Sequence, residues 1–596
     1  MSNNHGVQTP GWNGDKNLPE SRRTTHYENL EKFLESPDDV WEAIFHQVDR
    51  PKDLLSCILA CKRFNNLALF PLYHAIHYKA AYSSIMSLSE TSLSQRKPST
   101  LGQIIRTVVF TTSNGRYEPR PSNNSQRPPM FMTSALSTLC ASSFAANVTK
   151  LVFVGAEVPL KFYFVLFSLT RLRALYFHNS WDDDTAGICE DGEPLSASAS
   201  QLSTVVDLRI WNHKFRRTGL RSRRGQIHYI FGVATTVLLP SRHLHTLHLD
   251  WEPPVASHLV GGQTATSHLE SFVAETAPRL RVLHLRLPSY NAEQNSRITS
   301  EIRRLYYQLG IFLRACSNLE ELYLVTEDKY GVSPIFGEAL GHVGLPNIRV
   351  LSVPSLYFVP LLISNTAPLE SVHISPHRAL YSKVVVSDKQ VLRPLLQVPA
   401  PETISSTLSE FNGSRMREIT VFCNVWHHEL LLFAAQCFPR LEVLKIGYEV
   451  AHISDADWQS MGGVHLHRLP ALKIFYLYKH QDEQPSLDAS SGPQESPMPD
   501  EVQLSTTQIE SALDVLAAWS RWVAFLDEVS FDQDSVWTRG KIYQSVPWDN
   551  CNSGNGYWTR PPKPAWRWSE WRVSKRSNRP GDDLMEGSRE VDRFLA

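Results

Sequence analysis

The chain has 596 residues, of which 42% are hydrophobic and 20% are charged, a composition typical of a globular protein rather than of a disordered or collagen-like chain. Its 59 Lys and Arg residues nearly balance its 60 Asp and Glu residues, so the formal net charge is −1. This balance excludes a protein that is drawn to nucleic acid or to an anionic membrane by its overall charge.

Targeting and cross-linking signals are also missing from the sequence. The N-terminal residues contain no apolar core of the signal-peptide type, and no apolar run approaches the ~18 residues of a membrane span. The eight cysteines include no CxxC pair, which argues against a disulfide framework and a structural zinc site. We therefore expect a protein of the cytoplasm, the nucleus or both, without a membrane segment.

Shifts in composition divide the chain into predicted segments. The two ends and one internal stretch are polar and poor in large apolar residues, which is typical of disorder. The predicted segments are a disordered N-terminus (1–32), a helical domain (33–80), a repeat array (100–535) with a disordered insertion (482–503), a Trp-rich cap (536–574) and a disordered tail (575–596).

The helical domain begins with a helix-start pattern. Ser36 is expected to cap the first helix with Pro37 in its first turn, and Asp53 is expected to cap a second helix. Apolar residues recur at helical spacing in both helices. Because about 40 residues bury little surface alone, we expect this domain to lean on a neighbour or on a partner.

The same residues resemble an F-box. Ser36 stands where that family has Leu and Ala60 where it has Val, and both departures remove apolar surface. The resemblance implies docking on a Skp-family adaptor and, through it, on a cullin. The matching residues are Pro37, Asp39, Val40, Ile44, Phe45, Val48, Asp53 to Leu55 and Ala60 to Phe64, and those implied to contact the adaptor are Pro37, Val40, Ile44, Leu54, Leu55 and Phe64.

A motif of the form apolar-x-x-apolar-x-apolar follows and recurs thirteen times, about every 35 residues on average and with a poor period. Helix-like stretches such as 132–146, 302–315 and 429–436 lie between the copies. Units of helix, turn and strand that stack would form a parallel sheet with helices outside it. The copies start at Ile105, Val148, Leu172, Val205, Leu244, Leu280, Leu319, Ile348, Leu369, Met416, Leu441, Leu472 and Leu526.

The predicted fold class is therefore α plus α/β: a short helical F-box followed by an irregular solenoid with parallel strands inside and helices outside. This array resembles a degenerate leucine-rich repeat, and the whole chain resembles F-box proteins of the fungal type. A doubly wound α/β domain is the alternative. Thirteen strands exceed what an open twisted sheet usually holds, which favours the solenoid.

Eight of the fifteen tryptophans lie between Trp519 and Trp571. A solenoid needs a cap for its last apolar face, and an aromatic-rich segment can provide one. The alternative is a surface that stacks nucleobases, because arginines and a lysine are interleaved with these rings. We favour the cap and expect no nucleic-acid partner.

The sequence holds no phosphate-binding loop, dinucleotide fingerprint or nucleophile elbow, so we expect no enzyme, no cofactor and no metal site. Cys423 near His427 is interpreted as a buried strand cysteine rather than as a nucleophile pair. The basic run from Lys214 to Arg224 has two interpretations, a solvated loop or a signal read by an acidic or phosphorylated partner or by nuclear import.

Strand alternation predicts which residues of the array face away from the core. In each motif this is the residue between the second and third apolar positions, and these residues should form one column across the concave side of the sheet. Tyr and Arg are enriched at binding hot spots. The predicted substrate contacts are Tyr176, Arg209, His248, His284 and Tyr323.

Together these features predict the substrate-recognition subunit of an SCF-type ubiquitin ligase, in which the helical domain docks the adaptor and the array binds a protein substrate. The alternative is a leucine-rich-repeat scaffold without a ligase, in which the helices only cap the array. Exposed apolar residues on the helices would favour the adaptor, and burial against the first repeat would favour the cap.

Overall fold

The computed structural model describes a three-helix unit and a long sheet that follows it. The described residues are 36–48, 51–73, 75–79, 105–111, 147–158, 169–178, 180–182, 204–211, 219–221, 227–229, 243–250, 276–287, 296–326, 338–374, 401–409, 415–450, 453–479, 506–520, 522–523, 525–531, 535–539 and 571–575. The predicted disordered segments 1–32 and 482–503 lie outside them, as does the tail beyond residue 575.

Three consecutive helices open the described chain: α1 (Asp38–His46), α2 (Pro51–Ala60) and α3 (Lys62–Tyr73). Two details of their starts differ from the sequence prediction. Pro37, not Ser36, occupies the N-cap of α1. Pro51 begins α2, so Asp53 lies in its first turn instead of capping it. A proline has no N–H to lose at the first helical position, which explains why α2 starts there.

One sheet follows, with sixteen strands among the described residues. Its first fourteen strands are parallel and its last two are antiparallel to their neighbours. The strands are β1 (Ala75–Lys79), β2 (Thr107–Thr111), β3 (Lys150–Val154), β4 (Ala174–His178), β5 (Asp207–Trp211), β6 (Thr246–Asp250), β7 (Val282–Leu287), β8 (Glu321–Thr326), β9 (Val350–Val353), β10 (Ser371–Ile374), β11 (Glu418–Val425), β12 (Val443–Val450), β13 (Ile474–Lys479), β14 (Glu528–Ser530), β15 (Ser535–Arg539) and β16 (Trp571–Lys575).

The order of strands in the sheet follows their order in the chain throughout. A doubly wound sheet reverses its direction at a switch point, and this sheet does not. The fold is therefore an α/β solenoid, and the doubly wound alternative is wrong.

The sheet also starts earlier than predicted. β1 pairs with β2 in register, so the strand Ala75–Lys79 belongs to the sheet and not to the helical domain 33–80. Its motif is Tyr73, Ile76 and Tyr78, which places tyrosines where the other copies have aliphatic or Phe residues. A motif defined by aliphatic residues therefore does not match this strand.

The motif residues form the core, because the three apolar positions of each copy lie on the same side of the sheet. In the thirteen copies from Ile105 onward, all of these residues are buried except Phe531, which is partly buried and packs against the core. Phe110, Phe153 and Phe177 stack across three neighbouring strands with ring centroids 5.0 and 5.3 Å apart. Each fully buried side chain of this size stabilises the fold by about 1.5–3 kcal/mol.

Helices join successive strands on the core side of the sheet from β7 onward in the described part of the chain. Their buried faces contribute to the same core, for example through Phe312, Val359, Leu431 and Leu516. These helices are α4 (Ser296–Ala315), α5 (Phe358–Leu362), α6 (Pro401–Ser409), α7 (Glu429–Cys437), α8 (Asp455–Val464) and α9 (Thr506–Ser520). Of these described helices, none is both long and apolar enough to cross a membrane.

The described residues also form two short strand pairs that are separate from the main sheet. Glu157–Val158 pairs with Trp181–Asp182, and Gly219–Arg221 pairs with Ile227–Tyr229. The second pair holds Arg221 of the basic run, and the other basic residues of that run lie outside the described residues.

Candidate functional site

The three-helix unit presents large apolar side chains to solvent. Val40 and Ile44 on α1 are 44% and 39% exposed, and Leu55 and Leu59 on α2 are 47% and 78% exposed. Val40 and Ile44 are four residues apart and therefore lie on one face of α1. We call these four residues the apolar helix face. Pro37, at the start of α1, is exposed as well.

Two of the predicted adaptor contacts lie inside the unit instead. Leu54 is 4% exposed and belongs to the small core of Trp41, Phe45 and Ala68. Phe64 is half-buried, with its ring centroid 4.6 Å from that of Trp41 and 5.2 Å from that of Phe45. These two residues hold the helices together, and the exposed face is made by their neighbours.

The concave column predicted from strand alternation is in register. Each of its residues pairs with the corresponding residue of the next strand, from Val109 on β2 to Ser530 on β14. Tyr176, Arg209, His248, His284 and Tyr323 thus lie on five successive strands.

These five residues differ in exposure. Tyr176 and His248 are only 8% and 3% exposed, whereas Arg209, His284 and Tyr323 are partly exposed. Side chains on parallel neighbours lie about 4.8 Å apart, so bulky ones cover each other even on a surface. A partner protein would therefore contact Arg209, His284 and Tyr323 before the two buried residues.

Tyr176 and Arg209 are tied to one carboxylate. The Tyr176 hydroxyl donates to Asp207 Oδ2 at 2.6 Å, and the Arg209 guanidinium donates to both Asp207 oxygens at 3.2 and 3.0 Å. The same guanidinium lies over the Tyr176 ring, 4.4 Å from its centroid. Tyr176 therefore orients Arg209 rather than presenting its own ring to a partner.

His248, His284 and Tyr323 form a stack of rings. The centroids of the two imidazoles are 3.8 Å apart, and those of His284 and Tyr323 are 3.9 Å apart. Burial, reinforced by the charge of Arg209, lowers the pKa of His284 to about 3. Burial also places the pKa of His248 well below its ordinary value, with His284 and Arg209 adding to the effect. Both rings are therefore neutral at neutral pH.

We expect the free energy of unfolding to fall as the pH is lowered from about 6.5 towards 3. Unfolded His284 takes up a proton near pH 6.5, whereas the folded ring resists until about pH 3. The unfolded state therefore binds more protons in this window, and at pH ~5 His284 alone should cost about 2 kcal/mol. Denaturation curves at neutral pH and at about pH 5 measure the difference.

The matched variants are His284→Phe, which keeps a ring in the stack, and His467→Phe, at an exposed position. The first should reduce the pH dependence, with His248 still contributing, and the second should leave it unchanged. An equal slope in the wild type and in His284→Phe would contradict the assignment.

A second feature follows the edge of the sheet where the strands begin. The residues immediately before β7 to β14 alternate in charge, which sequence reasoning missed. Ion pairs join neighbours, with N–O distances of 3.7 Å for Arg281–Glu320, 3.0 Å for Arg349–Glu370 and 2.6 Å for Lys473–Glu442. The alternating residues are Arg281, Glu320, Arg349, Glu370, Arg417, Glu442, Lys473 and Asp527.

The edge also holds an open depression of about 600 Å³. Its wall carries three guanidinium groups, those of Arg279, Arg281 and Arg349, and one carboxylate, that of Glu320. His245 and two asparagines complete most of the lining. The asparagine amides hold the turns in place. Asn318 donates to the Pro278 carbonyl at 2.7 Å, and Asn347 donates to the Ser317 carbonyl at 3.0 Å one strand later.

Cys423, the cysteine weighed as a nucleophile beside His427, has a packing role in the sheet. Burial raises the pKa of the Cys423 thiol to about 12, and this thiol donates to the Gly447 carbonyl at 3.6 Å. A thiol in that state is a poor nucleophile. Within the described residues, no three His, Cys, Asp or Glu side chains converge as a metal site would require.

No family model and no curated protein matches the chain. Among solved structures, it is similar to the Rad7 and Elc1 complex of yeast, at 10% identity over 77% of this chain and 92% of that chain with a TM-score of 0.29. It is also similar to an internalin from Listeria monocytogenes, at 12% identity over 59% of this chain and 90% of that chain with a TM-score of 0.20. The order and pairing of the strands define the α/β solenoid.

Proposed function

We propose that this chain is the substrate-recognition subunit of an SCF-type ubiquitin ligase. The observation that carries the proposal is the apolar helix face on a unit whose sequence resembles an F-box. Two short helices leave Val40, Ile44, Leu55 and Leu59 between 39% and 78% exposed, and large apolar side chains left exposed on a folded unit are the kind of surface that a partner covers. A Skp-family adaptor, which links such a unit to a cullin, is the proposed partner.

The exposure of these apolar side chains favours adaptor docking over the alternative, in which the helices only cap the array. If the helices only capped the array, their apolar residues would pack against the first repeat. Leu55 and Leu59 instead remain 47% and 78% exposed, although α3 leads directly into β1. The non-ligase scaffold is therefore the less favoured function.

The solenoid is the proposed substrate receptor. Its contribution would be proximity, because a bound substrate holds its lysines near the ubiquitin thioester and raises their effective concentration. No bond chemistry by this chain is required. The proposed contacts on the concave side are the partly exposed Arg209, His284 and Tyr323. Tyr176 and His248 hold them in position, because Arg209 lies over the Tyr176 ring and His284 stacks on His248.

The test of the function is reconstitution. The full chain, a Skp-family adaptor and a cullin are co-expressed and passed over a sizing column. Elution as one complex supports the proposal, whereas elution of the chain apart from the adaptor would leave the scaffold function.

The concave contacts have their own test in cells. Arg209→Ala and Tyr323→Ala should each reduce substrate recovery by about tenfold, since truncated hot-spot residues typically cost 1–2 kcal/mol or more. Lys445→Ala is the matched control, because Lys445 lies in the same column on β12, four strands beyond Tyr323 on β8. Quantitative mass spectrometry of proteins that co-purify with each variant measures the effect. Proteins retained equally by all three variants would place the substrate elsewhere.

A further inference from the structure

The geometry points to a second contact for the substrate, one that rests on the proposed function: the depression at the edge of the sheet where β6 to β9 begin binds an anionic segment of the partner protein. The chemistry it would recognise is a run of carboxylate or phosphate groups. We call this depression the basic edge site.

Charge is the first support. Three guanidinium groups line the site against one carboxylate. The carboxylate that pairs with Arg349, Glu370, lies outside the lining and accepts two hydrogen bonds at 3.0 and 3.1 Å from Arg349 Nη2. With Glu370 counted, three guanidinium groups face two carboxylates and His245 lies beside them, so an anion in the depression meets a small excess of positive charge. Arginine is also the side chain that binds carboxylate and phosphate groups through two parallel hydrogen bonds.

Accessibility is the second support. The side chains of Arg281 and Arg349 are 63% and 51% exposed, and Arg279 and His245 are exposed as well. The ion pair between Arg281 and Glu320 is long, at 3.7 Å. A guanidinium held this loosely can turn to an incoming anion at little cost.

The edge continues as a basic strip towards the start of the array. Among the described turn residues of this edge up to Arg281, which are 105–106, 147–149, 169–173, 204–206, 243–245 and 276–281, there is no Asp or Glu. Arg106, Arg171 and Arg173 lie on this strip. An acidic segment longer than the depression would thus meet further positive charge in one direction along the edge.

The site adjoins the concave column, which favours a protein as its occupant. His245, Arg281 and Glu320 lie immediately before β6, β7 and β8. Each precedes by three residues the column residue of that strand, which is His248, His284 or Tyr323. Three residues of strand span about 10 Å, so one partner can cover both surfaces. The lining contains no Phe, Tyr or Trp, whereas proteins that bind single-stranded nucleic acids usually stack bases on such rings.

Direct binding by the purified full chain tests the site. Two fluorescent peptide probes are used, a short polyglutamate and a serine-rich peptide of equal length with several phosphoserines, together with a short single-stranded RNA. The variant Arg279→Glu with Arg281→Glu should weaken binding of an anionic peptide by about tenfold or more, because two charge-assisted contacts become repulsive. Raising the salt concentration should weaken wild-type binding in the same direction.

The chain offers a matched control in Arg415→Glu with Arg417→Glu. Arg417 is 63% exposed and lies 3.6 Å from its glutamate, nearly as Arg281 lies from Glu320, and Arg415 occupies the turn position of Arg279. This pair should leave binding within about twofold of the wild type. The two probes separate carboxylate from phosphate as the source of the charge.

Three outcomes would overturn the inference: equal weakening by both double variants, no binding of either peptide by the wild type, or RNA binding that the Arg279 and Arg281 changes abolish while neither peptide binds. Adaptor recovery is measured on the same variants. Because the basic edge site lies on the sheet and not on α1 or α2, adaptor recovery should stay at the wild-type level, so failure of this site is distinguishable from failure of the proposed ligase function.

Discussion

Replacing Ile44 and Leu55 together with Asp should abolish recovery of a Skp-family adaptor. The two side chains are 39% and 47% exposed in the free chain, so the aspartates stay hydrated when no partner is bound. In the complex, the same carboxylates would be buried without partners, and each should cost several kcal/mol. At about 1.4 kcal/mol per factor of ten, affinity should fall by at least about a thousandfold.

The control for this experiment is a matched change on the solenoid. Val425 and Val464 are 43% and 47% exposed, and their replacement with Asp adds the same two charges outside the three-helix unit of α1 to α3. Adaptor recovery should then remain at the wild-type level. Both double variants should keep the wild-type thermal midpoint, because neither removes a core contact.

Equal adaptor recovery from the wild type and from the Ile44 and Leu55 variant would sink the assignment of the apolar helix face. Loss of recovery together with a lowered thermal midpoint would point to misfolding instead. In that case Leu59→Ser is the second variant, since Leu59 is 78% exposed and contributes little to the fold.

The sequence predicts the array well because each copy of its motif carries enough local information. Three apolar positions at fixed spacing define one strand and the face that it buries, as Leu244, Leu247 and Leu249 do on β6. Neighbouring motifs then set the register, since shifting a strand by one residue would turn its apolar set away from the core. The concave column follows from the same pattern without further information.

The helical unit is less predictable, because its apolar stripe is broad. α1 carries apolar residues at Val40, Trp41, Ile44 and Phe45, and periodicity alone does not decide which pair packs inward. The structure buries Trp41 and Phe45 and exposes Val40 and Ile44. The larger rings bury more area, and this difference selects the face that packs.

The edge of the sheet is missed for a different reason. Arg281, Glu320 and Arg349 are far apart in the chain, and nothing in their local sequence marks them as neighbours. The available signal is positional: each of them follows the first apolar residue of a motif directly. Like the position that forms the column, this position follows from the motif, and its residues in successive motifs show the alternating charges.

At the other end of the array, shortening the chain to residue 534 should destabilise the last repeat. β15 is antiparallel to β14, with Trp537 opposite Val529, and the Arg539 N–H donates to the Asp527 carbonyl at 2.8 Å. Trp537 is 3% exposed and belongs to the main core. Its loss removes this ring from the core and leaves β14 as an unpaired edge, which invites association with other chains.

The point variant Trp537→Ala isolates the contribution of the ring from that of the strand. It should lower the free energy of unfolding by about 3–5 kcal/mol, whereas Trp522→Ala, at a position that is 60% exposed, should change it by about 0.5 kcal/mol or less. Thermal unfolding followed with light scattering measures both stability and aggregation. A shortened chain that stays monomeric with an unchanged midpoint would show that β15 and β16 are an appendage, and a nucleic-acid role for the Trp-rich segment would then gain support.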